Sequence, residues 1–116
     1  MKTNFEYDAH VYDVYDGDTF RAVVDLGFGV TVRHVFRLYG VDTPEMRGDE
    51  REEGIRVRDH VRDLILDKDI IIKTHKDKTG KYGRYLAEVI CTNESGGQIH
   101  LAPHLMGLEM AVELKY

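Results

Sequence analysis

The sequence predicts an α+β fold that is mainly β, in which five short strands close into a small barrel. Three observations predict it. Short runs of β-branched and aromatic residues recur along the chain, a single long amphipathic segment interrupts them, and strands and helices do not alternate as in a parallel α/β sheet. A length of 116 residues suits one domain, residues 1–116, with its own core.

The first half of the chain predicts three strands. The first is expected at residues 10–15. Residues 19–25 and 30–39 are dense in Val, Phe, Thr and Tyr, and the short segment 26–29 between them contains two glycines. This pattern is typical of a long hairpin.

The second half predicts a helix, two strands and a shorter helix. In residues 49–67 the apolar side chains Val57, Val61, Leu64 and Ile65 have the spacing of one helical stripe. Strands are expected at 70–73 and 86–90, with a polar loop at 75–84 between them and a turn at 93–97. Residues 99–106 predict a helix that ends at Gly107 in a left-handed cap. Five strands with a helix between the third and fourth indicate an OB-type barrel.

Charge and cysteine content exclude several classes of protein. Sixteen Lys and Arg against 21 Asp and Glu give a net charge of −5, which argues against a protein that coats nucleic acid. An enzyme that binds one or two phosphates needs only local cations and a metal. The single Cys91 excludes an internal disulfide and a zinc site built on a cysteine pair. Without a signal-peptide core or a membrane-spanning run we expect a cytoplasmic protein, and secretion of a processed form stays open.

Three short motifs concentrate residues suited to phosphate chemistry: DGDT at 16–19, FRLYGVDTPE at 36–45 and KYGR at 81–84. Asp18 and Asp42 offer hard carboxylate oxygens. Pro44 favours an extended Thr43 and interrupts strand pairing, which leaves the Thr43 carbonyl available as a ligand. This donor set suits Ca²⁺, with Mg²⁺ or Mn²⁺ as alternatives.

The charged residues of the same motifs are candidates for binding phosphate and activating water. Strand alternation places Arg37 on the face opposite its apolar neighbours, and Arg84 follows a glycine in a loop. A guanidinium binds phosphate oxygens bidentately and stabilises their charge. Glu45, three residues beyond Asp42, is expected to orient and deprotonate a water molecule. For Lys81 and Tyr82, contact with a nearby phosphate or base and a solvated loop are equally compatible with the sequence.

Together the three motifs resemble the staphylococcal nuclease family in order and approximate spacing, over a region from about Val11 to Leu108. The resemblance implies an OB-fold barrel and a calcium-dependent endonuclease or exonuclease. Such an enzyme cuts single-stranded or locally unwound DNA or RNA and releases 3′-phosphate products. The implied roles are calcium ligands for Asp18, Asp42 and the Thr43 carbonyl, general base for Glu45, phosphate binding for Arg37 and Arg84, and terminal-phosphate contacts for Lys81 and Tyr82.

Two features separate this chain from the best-known secreted members of that family. It is acidic, and it stops soon after Gly107, where those members continue into a final helix. We expect a monomer. Because the final helix has no counterpart here, a dimer or a partner that supplies the helix are the alternatives. The rival function is a noncatalytic OB-fold module that binds nucleic acid or protein. Taken singly, the Asp18 and Asp42 motifs also fit ordinary turns or helix caps, but Arg37, Glu45 and Arg84 together favour the enzyme.

Overall fold

The structure is a computed structural model that describes residues 5–79 and 83–115. A 3₁₀ turn at Gly48–Glu50 precedes the first of two α-helices. The helices are α1 (Arg51–Ile65) and α2 (Leu101–Gly107). The strands are β1 (Glu6–Asp16), β2 (Thr19–Asp25), β3 (Thr31–Leu38), β4 (Val41–Asp42), β5 (Asp69–Thr79), β6 (Tyr85–Thr92), β7 (Gln98–His100) and β8 (Val112–Glu113).

Five of these strands close into the predicted barrel. Neighbours in the order β3-β2-β1-β5-β6 are antiparallel, and β3 then pairs in parallel with β6, which joins the two ends. Strand β7 extends the sheet beyond β6, and β4 forms a separate two-stranded ribbon with β8. Helix α1 lies between the third and fourth barrel strands in chain order. The prediction of a mainly β, OB-like α+β fold is therefore confirmed.

The core fills the inside of the barrel and is closed by one face of α1. Phe20 of β2 and Phe36 of β3 stack with their ring centroids 5.5 Å apart. From α1, Val57, Val61 and Ile65 are buried, which is the apolar stripe expected from the sequence. Full burial of an aliphatic side chain of this size stabilises the fold by roughly 1.5–3 kcal/mol. Neither helix of the described residues is long and apolar enough to cross a membrane.

The strand β5 is longer than the sequence predicted. It continues through Thr79, whereas residues 75–84 were expected to form a loop. The added part of the strand pairs with β6 at Thr79 and Tyr85. Its sequence is polar, so it lacks the apolar alternation by which strands are detected.

The end of α2 corrects a second prediction. Gly107 is the last residue of the helix and is not left-handed; the left-handed residue is Glu109, with φ 59°. The amide of Glu109 donates to the Met106 carbonyl at 3.1 Å, and the amide of Met110 donates to the Leu105 carbonyl at 2.9 Å. These two bonds form a Schellman motif, which offsets the cost of a non-glycine residue in that conformation. The helix also begins later than predicted, because residues 98–100 form β7.

Candidate active site

Residues of all three motifs meet in one network of hydrogen bonds. The turn between β1 and β2 carries Asp18, and the segment that follows β3 carries Asp42 and Thr43. The Thr43 amide donates to Oδ2 of Asp18 at 3.1 Å, and both residues are buried, with 7% of their surface exposed. The Leu38 amide donates to the Asp18 carbonyl at 2.8 Å. A buried carboxylate therefore joins two segments that lie 25 residues apart in the chain.

The Arg37 guanidinium holds the two candidate metal carboxylates together. Its Nη2 donates to Oδ1 of Asp42 at 3.0 Å and to Oδ2 of Asp18 at 3.4 Å. Its Nη1 donates to the carbonyls of Val41, at 3.0 Å, and Leu38, at 3.2 Å. Only 13% of the Arg37 side chain is exposed. Bonds at both terminal nitrogens fix the plane of the guanidinium at the entrance to the site.

Arg84 reaches the same carboxylate through Thr19. Its Nη1 donates to the Thr19 hydroxyl at 3.0 Å, and that hydroxyl donates to Oδ1 of Asp18 at 3.1 Å. Thr19 belongs to the DGDT motif, although no role for it was predicted from the sequence. Thr19 pairs with Arg37 across β2 and β3, and paired residues lie on the same face of a sheet. Alternation along the predicted hairpin could therefore have placed Thr19 on the face that carries Arg37.

Asp16 is a second residue of the motif to which no role was assigned. Its Oδ1 accepts a hydrogen bond from the Asp18 amide at 3.0 Å. Burial, with the neighbouring charge of Asp18, raises the pKa of Asp16 to about 7. The sequence signal for this proximity is the spacing of the two carboxylates across one glycine, which was not used to assign Asp16 a role. The pair concentrates negative charge at a point where a cation would relieve their repulsion.

The residues present fit a hard cation. Asp18 and Asp42 both contact Nη2 of Arg37, so their carboxylates converge on one point, where this structure places the positive charge of the guanidinium. The buried Thr43 hydroxyl beside them has no hydrogen-bond partner. Across the described ranges, no cluster of three or more His, Cys, Asp or Glu side chains converges as a metal site. Two carboxylates, a backbone carbonyl and water are a donor set that Ca²⁺ accepts, because this ion takes six to eight oxygen ligands in flexible geometry.

Glu45 lies next to this network without being part of the contacts described above. It is exposed, in the turn after Pro44, and its amide donates to Oε2 of Glu50 at 3.4 Å. The backbone of this turn packs against Gly54 of α1. Of the predicted site residues, the structure thus joins Asp18, Arg37, Asp42, Thr43 and Arg84 by hydrogen bonds and leaves the Glu45 side chain facing solvent. Lys81 and Tyr82 lie outside the described residues.

Comparison with known proteins identifies the family of this chain. No curated protein sequence matches it. The family model described as "staphylococcal nuclease homologue" matches residues 35–112. This segment covers more than half of the chain and contains Arg37, Asp42, Glu45 and Arg84, although it begins after the turn that carries Asp18. The family includes nucleases, and its domain indicates a nuclease-like or nucleic-acid-binding fold. The resemblance drawn from the three motifs is confirmed, and the chain belongs to the staphylococcal nuclease homologue family.

Proposed function

We propose that this protein is a nuclease that hydrolyses phosphodiester bonds in single-stranded or locally unwound DNA or RNA. The observation that carries the proposal is the arginine–carboxylate network, in which Arg37 joins Asp18 to Asp42 and Arg84 reaches Asp18 through Thr19. A phosphodiester needs cationic hydrogen-bond donors, and a hard cation needs carboxylate oxygens. The network supplies both within one chain of hydrogen bonds.

The two arginines would bind the phosphate from fixed positions. Arg37 is anchored by two backbone carbonyls, so its Nη2 can exchange a carboxylate for a phosphate oxygen without the guanidinium moving. Arg84 is anchored by Thr19. Preorganised positive groups stabilise the charge that develops on the phosphoryl oxygens without the cost of reorganisation during the reaction. Glu45 is exposed at the edge of this network, where its carboxylate would orient a water molecule for in-line attack and accept its proton.

Asp18, Asp42 and the Thr43 carbonyl would hold the calcium ion, with Mg²⁺ or Mn²⁺ as the alternatives. When bound, such a cation acts as a Lewis acid on the phosphoryl oxygens. The bond from the Thr43 amide to the buried Asp18 carboxylate holds the two segments together. The products we propose carry a 3′-phosphate: water adds to phosphorus as the bond from phosphorus to the 5′ oxygen breaks, and the departing 5′ oxygen takes up a proton from solvent. All the proposed residues belong to one chain, so we propose a monomer as the active form, which light scattering tests.

The test is cleavage of labelled single-stranded DNA and RNA by wild type, Glu45→Gln and Arg84→Lys, with Ca²⁺, with Mg²⁺ and with chelator. Loss of a general base lowers the rate by about 10²- to 10⁴-fold, so Glu45→Gln should cut that much more slowly. Arg84→Lys keeps the charge but loses the planar fork, and its rate should also fall steeply. Glu94→Gln is the matched control, because this exposed carboxylate lies in the turn after β6, at the far end of that strand from Arg84.

The outcomes separate the two functions under consideration. Cation-dependent cutting that Glu45→Gln removes and Glu94→Gln leaves intact supports the nuclease and its base. Wild-type rates in both Glu45→Gln and Arg84→Lys, with unchanged circular dichroism, would overturn the residue roles. Binding of either nucleic acid without any cutting would replace the proposal with the noncatalytic binding module.

A further inference from the structure

The outer face of β3 continues away from the candidate active site and carries a second arginine. Arg33, Val35 and Arg37 occupy alternate positions of this strand, and Phe36 and Leu38, which face the other way, are buried in the barrel. Alternate residues share one face of a strand, and a strand rises about 3.3 Å per residue. The Cα atoms of Arg33 and Arg37 are therefore separated by roughly 13 Å along the same face.

A groove of about 350 Å³ lies on this face, and one of its lining residues is Arg84 of the candidate site. Tyr12 of β1, Arg21 of β2 and Arg33 of β3 line it together with Gly83 and Arg84. The strand register explains the arrangement, since Arg21 pairs with the β3 residue midway between Arg33 and Arg37. A ligand held at Arg84 thus has a continuous path along the groove to Arg33.

The groove combines an aromatic ring with positive charge. Tyr12 lies at a bulge of β1 and is 38% exposed, and the guanidinium carbon of Arg33 lies 5.4 Å from its ring centroid. The Arg21 side chain is 56% exposed, and its Nε lies 4.0 Å from the Asp13 carboxylate, at the outer limit of an ion pair. An exposed pair at this distance is weak, so a phosphate can compete for Arg21.

We propose that this groove binds the part of a single-stranded nucleic acid that continues from the cleaved phosphodiester, with backbone phosphates at Arg21 and Arg33 and a base stacked on Tyr12. The proposal rests on the proposed nuclease function and specifies its substrate as a strand several nucleotides long. A distance of 13 Å holds about two to four nucleotides, because stacked bases rise about 3.4 Å each and an unstacked strand is longer. A duplex is a poorer ligand, since its base faces are covered by stacking and unavailable to Tyr12.

The test measures binding separately from cutting. Fluorescence anisotropy of labelled oligothymidylates, two and ten nucleotides long, is recorded with wild type in chelator and with the Glu45→Gln protein in Ca²⁺. Tyr12→Ala, added to each, should weaken binding of the ten-nucleotide strand by roughly 5- to 150-fold, the range for loss of one stacking contact. The loss should be smaller for the dinucleotide. Tyr12→Phe should restore affinity, because the ring and not the hydroxyl stacks.

Salt dependence tests the arginines. Arg33→Ala should reduce the slope of log affinity against log salt by about 0.7, the value for one phosphate contact in a single strand. The matched control is Lys73→Ala, which removes one positive charge from an exposed residue of β5 that does not line the groove. Equal slopes and affinities in wild type, Tyr12→Ala and Arg33→Ala would overturn the proposal. So would the failure of both wild type in chelator and the Glu45→Gln protein in Ca²⁺ to bind the ten-nucleotide strand. A protein that binds through these residues but never cuts would overturn only the nuclease function.

Discussion

Replacement of Gly54 by alanine is the most direct test of how α1 positions the candidate site. A β-carbon built on Gly54 would lie 2.2 Å from the carbonyl oxygen of Glu45 and 3.1 Å from that of Pro44. Ordinary van der Waals contact for a β-carbon begins at 3.4 Å, so the Glu45 carbonyl would have to move by roughly 1 Å. The obstacle is backbone, which yields less readily than the end of a side chain.

The expected loss of stability follows from two opposing terms. Overpacking costs about 1–3 kcal/mol, and a backbone contact belongs at the upper end of that range. The higher helix propensity of alanine relative to glycine raises the free energy of unfolding by about 1 kcal/mol. The net loss in the free energy of unfolding is therefore about 2 kcal/mol, a fall in Tm of roughly 10 °C for a domain of this size. A 1 Å displacement of a catalytic group costs about 10²-fold in rate, so cleavage by the folded variant should fall by that order.

Gly107 provides the matched control. It is also helical, but a β-carbon there would have nothing within 4 Å. Gly107→Ala should therefore raise the free energy of unfolding, by up to about 1 kcal/mol. Urea unfolding of both variants and wild type measures the difference. If Gly54→Ala proved as stable as Gly107→Ala, the contact between α1 and the Pro44–Glu45 turn would be refuted, whatever the protein is found to cleave.

Three further predictions concern the core and the second helix. Leu105 of α2 is fully buried, so Leu105→Ala should lower the free energy of unfolding by about 2–5 kcal/mol; a loss below 1 kcal/mol in urea unfolding would contradict that burial. Burial and the neighbouring His104, 2.9 Å away between Nε2 atoms, lower the pKa of His60, although Asp63 opposes the shift. The unfolded chain then binds this proton more readily, so stability should decline as pH falls below about 6.5, and less so in His60→Gln; identical pH profiles would contradict this. Burial raises the pKa of the Cys91 thiol, which is 2% exposed. A thiol reagent should therefore label Cys91 only at the rate of unfolding, and fast labelling in native buffer would contradict this burial.

The barrel was predictable because its strands and its helix carry periodic patterns. Residues 19–25 were predicted as a strand with the boundaries that β2 has, and the stripe at Val57, Val61 and Ile65 is the buried face of α1. The elements that were not predicted from the sequence have no such pattern. Strands β4 and β8 are two residues each, and they pair residues that are 72 and 70 positions apart, Val41 with Glu113 and Asp42 with Val112. Strands of two residues are too short to show an alternating pattern, so the sequence contains no periodic signal for this pairing.

The site was predictable in its residue types but not in its contacts. Single motifs named Asp18, Arg37, Asp42 and Arg84, because carboxylates and guanidiniums are the groups that metal and phosphate require. Two features needed tertiary information: the bond from the Thr43 amide to Asp18, and the Thr19 hydroxyl between Arg84 and Asp18. Each joins segments that are distant in sequence and whose local patterns are those of ordinary turns.

Helix α1 connects the fold to the candidate chemistry through two glycines. A β-carbon on Gly17, between Asp16 and Asp18, would lie 2.7 Å from Val57 and 2.9 Å from the Thr43 hydroxyl. Gly54, one helical turn before Val57, admits the Glu45 backbone. One face of α1 therefore packs on both segments of the site. These two close approaches fix the distance between the segment that carries Asp16 and Asp18 and the segment that carries Glu45. Substitutions on this face should alter cleavage and stability together, whereas substitutions in the core of α2 should alter stability alone.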